Sequence, residues 1–484
     1  MDFITPNFKP AIPEIFVLCM ACFILLLDLF VPQNKERPVT YGLVQLTLIL
    51  AACLTFVQFG HSPILTFDGN YVLDNLAIVL KIFIYISVFI CFVYTRGYLS
   101  KTGVPAGEYY ILGLFSMLGM MVIVSAHSFI TLFLGLELFS LPIYAMVALR
   151  RNSPPCIEAA IKYFVIGSIA SGMLLYGLSM LYGAAHSLDI NQVAMVVMRT
   201  SFQDDLVLVF GLVFVVAGVT FKLGAVPFHM WVPDVYEGAP TPVVLFLGTA
   251  SKIAALGLLF RLLVGTLPGL QFQWHDLLVL IAILSMGVGN LAAIAQTNIK
   301  RMLAYSSIAH MGYMILGILT GTPQGYGAAL FYMVTYALTT LGAFGLVLMM
   351  NNSGYEANRI DDLRGLNSRN PWLALMMLLT MFSLAGVPPI VGFMAKVAVL
   401  EALIGVNMVW LAAVALLFAI VGAYYYIRVV KVMYFESPID VQPIVATRDM
   451  QLALSFNGLL LLGLGIAPGF LFSLCQRVFE VNVF

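Results

Sequence analysis

The chain has 484 residues, 62% of them hydrophobic and only 10% charged, and its 23 basic and 23 acidic side chains cancel. Such usage lies far outside soluble globular proteins and reads as an all-α polytopic membrane protein. With no net basic charge it offers no surface for nucleic acid. No polar stretch is long enough for a soluble nucleotide- or cluster-binding domain.

Apolar stretches long enough to cross ~30 Å of hydrocarbon at 1.5 Å per residue number fourteen. They run over 10–31, 40–59, 71–95, 108–126, 129–149, 156–183, 205–228, 242–264, 275–296, 299–320, 324–350, 371–404, 408–435 and 451–473. The first lacks the net-positive lead and small-residue cleavage site of a signal peptide and is expected to be retained. Cys19 and Cys22 form a C-x-x-C on that same apolar span. With Cys53, Cys91, Cys156 and Cys475 they lack the clustered spacing of an iron–sulfur or zinc site and read as small packing residues. No Walker loop is present. No cofactor is therefore expected in this chain.

Charge inside such spans is costly, roughly 2.5 to 3.5 kcal/mol for a central lysine, and marks an ion path by default. The fifth span carries Glu137, the sixth Lys162, the seventh Lys222, the eighth Lys252 and the twelfth Lys396. Lys162 is the weakest of these candidates, because Glu158 lies one turn before it and an i,i+4 pair near a helix start is ordinary structure. His229 and His310 suit a relay or a structural hydrogen bond equally, since neutral imidazole does either. Asp28, near a span end, Asp74 and Lys81, able to pair with each other or with a neighbouring helix, and Glu401 take the structural reading.

Phe221-Lys222-Leu223-Gly224-Ala225-Val226-Pro227 in the seventh span reappears as Phe382-Ser383-Leu384-Ala385-Gly386-Val387-Pro388 in the twelfth. Five spans separate the copies, and an odd offset inverts one relative to the other. This predicts two inverted five-helix repeats, spans four to eight and nine to thirteen. The chain then divides into 1–107, 108–268, 269–435 and 436–484. Pro227, followed by Pro233, and Pro388 with Pro389 remove backbone donors inside apolar segments, so the seventh and twelfth helices are expected to be broken beside a hydrated cavity. Lys222 and Lys396 flank the two breaks.

Orientation follows from Lys and Arg in short loops. Fourteen fall after odd-numbered spans, from Lys35 and Arg37 to Lys431 and Arg448, against Arg199 and Arg261 after even-numbered ones. Both termini are thus expected to face away from the cytoplasm.

The polar run Pro227-Phe228-His229-Met230-Trp231-Val232-Pro233-Asp234-Val235-Tyr236-Glu237-Gly238-Ala239-Pro240-Thr241-Pro242, with Ser306-Ser307-Ile308-Ala309-His310-Met311-Gly312 and FSLAGVPP, resembles the antiporter-like subunits of proton-pumping NADH:quinone oxidoreductase, respiratory complex I. The wording VPDVYEGAPTPV, the fourteen spans and the lack of a long C-terminal amphipathic helix look like its subunit N branch rather than L or M. The resemblance covers essentially the whole chain. It implies discontinuous seventh and twelfth helices and a place beside related subunits and lipid in a membrane arm, with NADH, FMN, iron–sulfur clusters and quinone in partner subunits. It also implies proton-path roles for Glu137, Lys162, Lys222, Lys252 and Lys396. Lys396 stands where a related subunit uses glutamate, which leaves the exit step open. An Mrp-type cation/proton antiporter subunit shares this fold and charge pattern, and a passive scaffold with paired buried charges is the third reading.

The physics is general. Loss of water favours a neutral amine, and an approaching carboxylate favours the charged one. A proton would enter near Lys222, be held or released by Glu137, and pass through Lys252 towards Lys396.

Overall fold

Hydrocarbon offers no partner to a backbone amide, so each crossing must close its own hydrogen bonds as a helix. The structure is a computed structural model and describes residues 6–30, 37–60, 62–199, 206–351, 358–438 and 447–480. Lys35 lies outside them.

Among the described residues, thirteen helices are long and apolar enough to cross a membrane. The first three crossings are α1 (Ile12–Asp28), α2 (Pro38–Phe56) and α3 (Asn75–Thr102). A short antiparallel hairpin, β1 (Ile64–Thr66) with β2 (Tyr71–Leu73), joins the second to the third, pairing Ile64 with Leu73. The first bundle follows as α4 (Ala106–Val124), α5 (Phe129–Val147) and α6 (Pro154–Ala185), then the ten-residue α7 (Ile190–Arg199) between crossings. The seventh crossing is α8 (Leu206–Leu223), a break, and α9 (Trp231–Gly238). The eighth is α10 (Thr241–Gly248) and α11 (Ala250–Leu259), parted at Thr249 and continued by a π-helical stretch over Phe260–Thr266. That interruption was not foreseen from the sequence, which shows no proline there.

The second bundle comprises α12 (Gln271–Ile294), α13 (Ile299–Leu319) and α14 (Pro323–Met350). After the one-turn α15 (Leu366–Arg369) come the half-helices α16 (Pro371–Ala385) and α17 (Val391–Gly405), then α18 (Val409–Phe435). The expected twelfth span is thus two 15-residue helices. It supplies the fourteenth crossing that the thirteen long helices leave out. α19 (Arg448–Ile466) and α20 (Gly469–Glu480) close the chain. The eighth and eleventh crossings are the most buried, each with an 18-residue stretch wholly inside the protein.

The inverted repeat has a register that packing makes visible. Gly119 of α4 meets the backbone of Phe139 in α5, and Gly289 of α12 meets that of Ala309 in α13, 170 residues further on in both helices. In each pair only glycine allows so close an approach. The same shift carries Ser128, which caps α5, to Asn298, which caps α13. The isolated bridges Ser128 to Asp189 and Asn298 to Arg359 repeat the arrangement.

One open alternative is decided and two expectations are corrected. Asp74 and Lys81 each pair with another helix rather than with each other. Asp74 holds Arg261 through two bonds of 2.7 and 2.8 Å, and Lys81 holds Glu14 at 2.5 Å. Arg261 was counted as a loop charge, yet it is buried inside the π-helical stretch and also donates to the carbonyl of Val124. The aligned prolines are also shifted by one: the residue three positions after each capping glycine is Pro227 in the first break and Pro389, not Pro388, in the second.

Candidate functional site

Both broken helices end in the same way. A helix terminus leaves its last four carbonyls without intrahelical donors. At α8, Gly224 (φ 70°) turns left-handed, its N–H bonds to Phe221 O at 2.9 Å, and that of Ala225 bonds to Thr220 O at 3.0 Å. At α16, Gly386 (φ 81°) bonds to Ser383 O at 3.1 Å and Val387 to Phe382 O at 2.9 Å. These are Schellman caps, and each leaves the final carbonyls still bare. Lysines take them. Lys252 donates to Leu223 O at 2.6 Å, and Lys396 donates to Ala385 O at 2.7 Å and Leu384 O at 3.2 Å. An ammonium at a helix C-terminus also meets the negative end of the dipole. The structural counterpart of Lys396 is therefore Lys252; the sequence had paired Lys396 with Lys222.

Lys222 is the penultimate residue of α8, so it lies beside the carbonyl that Lys252 occupies. Its Nζ donates to Ser140 Oγ at 2.8 Å, and Ser140 donates to Leu136 O at 2.6 Å. Glu137, Ser140 and Tyr144 stand at one-turn spacings on one face of α5. No ion pair joins Glu137 to Lys222 among the described residues, and Glu137 Oε1 is buried without a partner inside the chain. Phe139 and Tyr144 present ring faces to the Lys222 ammonium at 5.8 and 5.9 Å. Trp231, the first residue of α9, bonds to Phe221 O at 3.1 Å, stacks on Tyr163 at 4.6 Å and covers Lys252 at 5.4 Å. Ser140 and Trp231 were not foreseen, although Ser140 follows Glu137 by one turn in the sequence.

His310 stands in the second bundle where Ser140 stands in the first, twelve residues after the capping side chain in each case. Nδ1 meets Tyr332 Oη at 2.7 Å and Nε2 meets Tyr426 Oη at 3.1 Å, and Tyr426 reaches Ser306 at 2.5 Å. Lys396 lies over Tyr313 at 5.2 Å, whose ring stacks on Tyr332. The structure thus brings together Glu137, Lys222 and Lys252 at one break and His310 with Lys396 at the other. Pro227, Pro388 and Pro389 are exposed, so each break reaches the surface of the chain. His229 lies within the first break, with Nδ1 buried and unbonded inside the chain and no bond to the lysines. Lys162 is apart from them. It is 43% exposed and held by Glu158 at 2.7 Å and Asp234 at 2.8 Å. Arg301 extends that network to Asp234 at 3.0 Å and Glu237 at 2.8 Å. Glu401 is exposed on α17. Among the described residues no group of three or more His, Cys, Asp or Glu is placed to hold a metal ion.

The family model described as NADH:quinone oxidoreductase/Mrp antiporter, TM, matches residues 126–422. NADH-quinone oxidoreductase subunit N of Coxiella burnetii is 59% identical over 98% of this chain and 99% of its own. The protein of the same name from Thioalkalivibrio sulfidiphilus is 54% identical over 98% of both. The chain belongs to the NADH-quinone oxidoreductase subunit N family. Among solved structures, a chain of respiratory complex I from Thermus thermophilus with bound aureothin superposes with a TM-score of 0.81 at 32% identity, covering 96% of this subunit N family member and 100% of that chain. A chain of the Mrp complex from Dietzia shares the fold, with a TM-score of 0.82 at 19% identity, covering 98% of this chain and 97% of that one.

Proposed function

We propose that this chain is a proton-translocating subunit of the membrane arm of NADH:quinone oxidoreductase, moving protons along buried lysines while other subunits reduce quinone. The observation that carries this reading is the junction at the first break. There Lys222 rests on Ser140, Lys252 rests on Leu223 O, and the carboxyl of Glu137 lies one helical turn from Ser140. Two amines at one helix end, with an unpaired carboxyl one turn from the serine that holds the first, form a site whose charge can change.

A proton enters near Lys222 from the cytoplasmic side. Movement of Glu137 towards Lys222 holds it, and withdrawal releases it to Lys252. An ion pair at ~4 Å in an effective dielectric near 20 is worth ~4 kcal/mol. Moving a unit charge through 100 mV costs about 2.3 kcal/mol. Making and breaking one such contact therefore matches a membrane potential of physiological size. From Lys252 the proton passes towards His310 and Lys396. Lys162 contributes to the cytoplasmic end through its carboxylate partners rather than as a buried carrier.

The partners are other complex I membrane subunits, including related antiporter-like chains, and lipid. NADH, FMN, iron–sulfur clusters and quinone belong to partner subunits. The chain sits in a bacterial inner membrane with both termini periplasmic, and the burial of Arg261 removes one of the two charges that opposed that orientation. The functional units are 1–107, 108–268, 269–435 and 436–484.

The test replaces Lys222 by Ala in the assembled complex and measures NADH-driven proton uptake in inverted membrane vesicles, with assembly followed on native gels. Proton uptake is expected to fall at least about ten-fold with assembly preserved. Wild-type uptake at normal assembly would refute the role of Lys222. If membranes lacking the chain kept full NADH-linked pumping but lost sodium tolerance, the Mrp-type reading would replace this one.

A further inference from the structure

The two bundles differ at one matched place. In the first, Arg261 of the eighth crossing holds the carbonyl of Val124 at the end of α4, and the carboxylate of Asp74 closes its guanidinium at 2.7 and 2.8 Å. The 170-residue shift carries Val124 to Ile294, at the end of α12. There Arg428 of α18, the thirteenth crossing, donates to the carbonyl of Ile294 at 2.9 Å and to that of Gln296. No carboxylate closes this second guanidinium. Among the described residues Arg428 forms no ion pair, and neither does Lys431 one turn further along α18.

Both cations line a cavity of about 440 Å³, together with Tyr424, Ile427, Asp361 and Glu436, among others. Its acids are already paired, since Arg364 holds Asp361 at 3.2 Å and Glu436 at 2.8 Å. Two acids against three bases leave one positive charge at the site. From the cavity an exposed stripe runs down α18 through Ile427, Tyr424, Ile420 and Leu417, at alternating spacings of three and four residues that keep it on the face of Lys431. From Leu417 to Lys431 the stripe covers 14 residues, about 21 Å at 1.5 Å per residue. That exceeds half of the ~30 Å hydrocarbon layer, so the stripe is as long as one leaflet is deep, apolar along its length and basic at the helix end.

We propose that this groove binds one anionic phospholipid, with its phosphodiester between Arg428 and Lys431 and an acyl chain along the stripe. A phosphodiester brings the single negative charge that balances the site, and its oxygens accept the N–H groups that Arg428 does not spend on the two carbonyls. Lys431 adds a point charge beside it. Basic pockets between membrane helices at headgroup level select lipids in this way, and Tyr424 presents an amphipathic ring just beneath.

The lipid phosphate then does for the second bundle what Asp74 does for the first: it completes an arginine that ties together the ends of two helices. A carboxylate side chain alone would leave most of the 440 Å³ empty and would not use the stripe. The site lies apart from the buried lysines and does not depend on the proton path.

The experiment places the whole complex in nanodiscs containing photoactivatable phosphatidylglycerol, or phosphatidylcholine with the same chains, and reads covalent labelling of α18 by peptide mass spectrometry. Phosphatidylglycerol is expected to label the stripe at least about five-fold more than phosphatidylcholine, as one added surface cation provides. Lys431→Gln is expected to remove that preference and Lys431→Arg to keep it. Arg428→Gln should act like Lys431→Gln, but Arg428 also ties α12 to α18, so Lys431, which makes no hydrogen bond among the described residues, gives the deciding variant. Equal labelling by the two lipids, or an unchanged preference in Lys431→Gln, overturns the proposal. Displacement of the probe by millimolar inorganic phosphate would assign the site to free phosphate instead. A zero-length carbodiimide cross-link from Lys431 to a carboxylate of another subunit would show that protein, not lipid, fills the groove.

Discussion

Lys252 and Lys396 each cap a helix with an ammonium, and the proposed function gives that same ammonium a mobile charge. The two tasks can be separated. Lys252→Met leaves Leu223 O without its donor in a water-poor interior, a loss of about 1–3 kcal/mol. Lys252→Arg keeps a charged donor at the same carbonyl, but a guanidinium holds its proton at every accessible pH. We expect both variants to stop proton uptake and only Lys252→Met to lower the unfolding temperature of the purified complex. Equal destabilisation by both would show that the fit of the amine, not its hydrogen bond, holds the break. Ser140 belongs to the same logic: it keeps Lys222 hydrogen-bonded while Glu137 is not in contact, so the resting amine is not stranded.

At the scale of elements, the fragment most in need of outside support is α9, eight residues that follow a break and cannot be stable alone. Its two carboxylates, Asp234 and Glu237, lie one turn apart and are both held by Arg301 of α13, while Lys162 of α6 takes a second oxygen of Asp234. Asn298 adds a bond to Glu237 at 3.2 Å. Trp231 begins α9 and covers Lys252, so this network sets where the indole lies. Exposed pairs are individually weak, and Arg301 holds both carboxylates of α9 where Lys162 holds only Asp234, its other partner Glu158 lying on its own helix. Arg301→Gln is therefore expected to reduce proton uptake more than Lys162→Ala does. Comparing initial uptake rates of the two variants at matched complex content decides it, and the opposite order would return Lys162 to the carrier path.

At the scale of the whole molecule, the first three crossings are attached to the bundles through buried charge as well as packing. Asp74, which caps α3, grips Arg261 of the eighth crossing, and Arg261 also holds the last carbonyl of α4. Glu14 of α1 and Lys81 of α3 make a second buried pair, with Tyr71 of β2 donated to by Lys81 at 2.9 Å. Removing one partner strands the other charge at a cost of about 3–5 kcal/mol. Asp74→Asn should therefore loosen the N-terminal helices, seen as faster limited proteolysis between the second and third crossings, before it affects the lysines. Unchanged cleavage would mean that apolar packing alone holds that unit.

The local chemistry of the chain settles a great deal. Apolar run length decides which segments become membrane helices, and a proline inside such a run decides where one must break, because both effects act within a few residues. The candidate lysines were legible for the same reason, since a charge in a hydrophobic stretch is visible without knowing what surrounds it. Partners were not. Lys252 meets a carbonyl 29 positions away, and Arg261 meets Asp74 across 187. Such distances are bridged only when helix rotation and glycine-mediated approach bring particular faces together. Tertiary structure alone therefore decided that Lys252 rather than Lys222 matches Lys396, that Ser140 rather than Glu137 holds Lys222, and that the second bundle replaces that serine with a histidine.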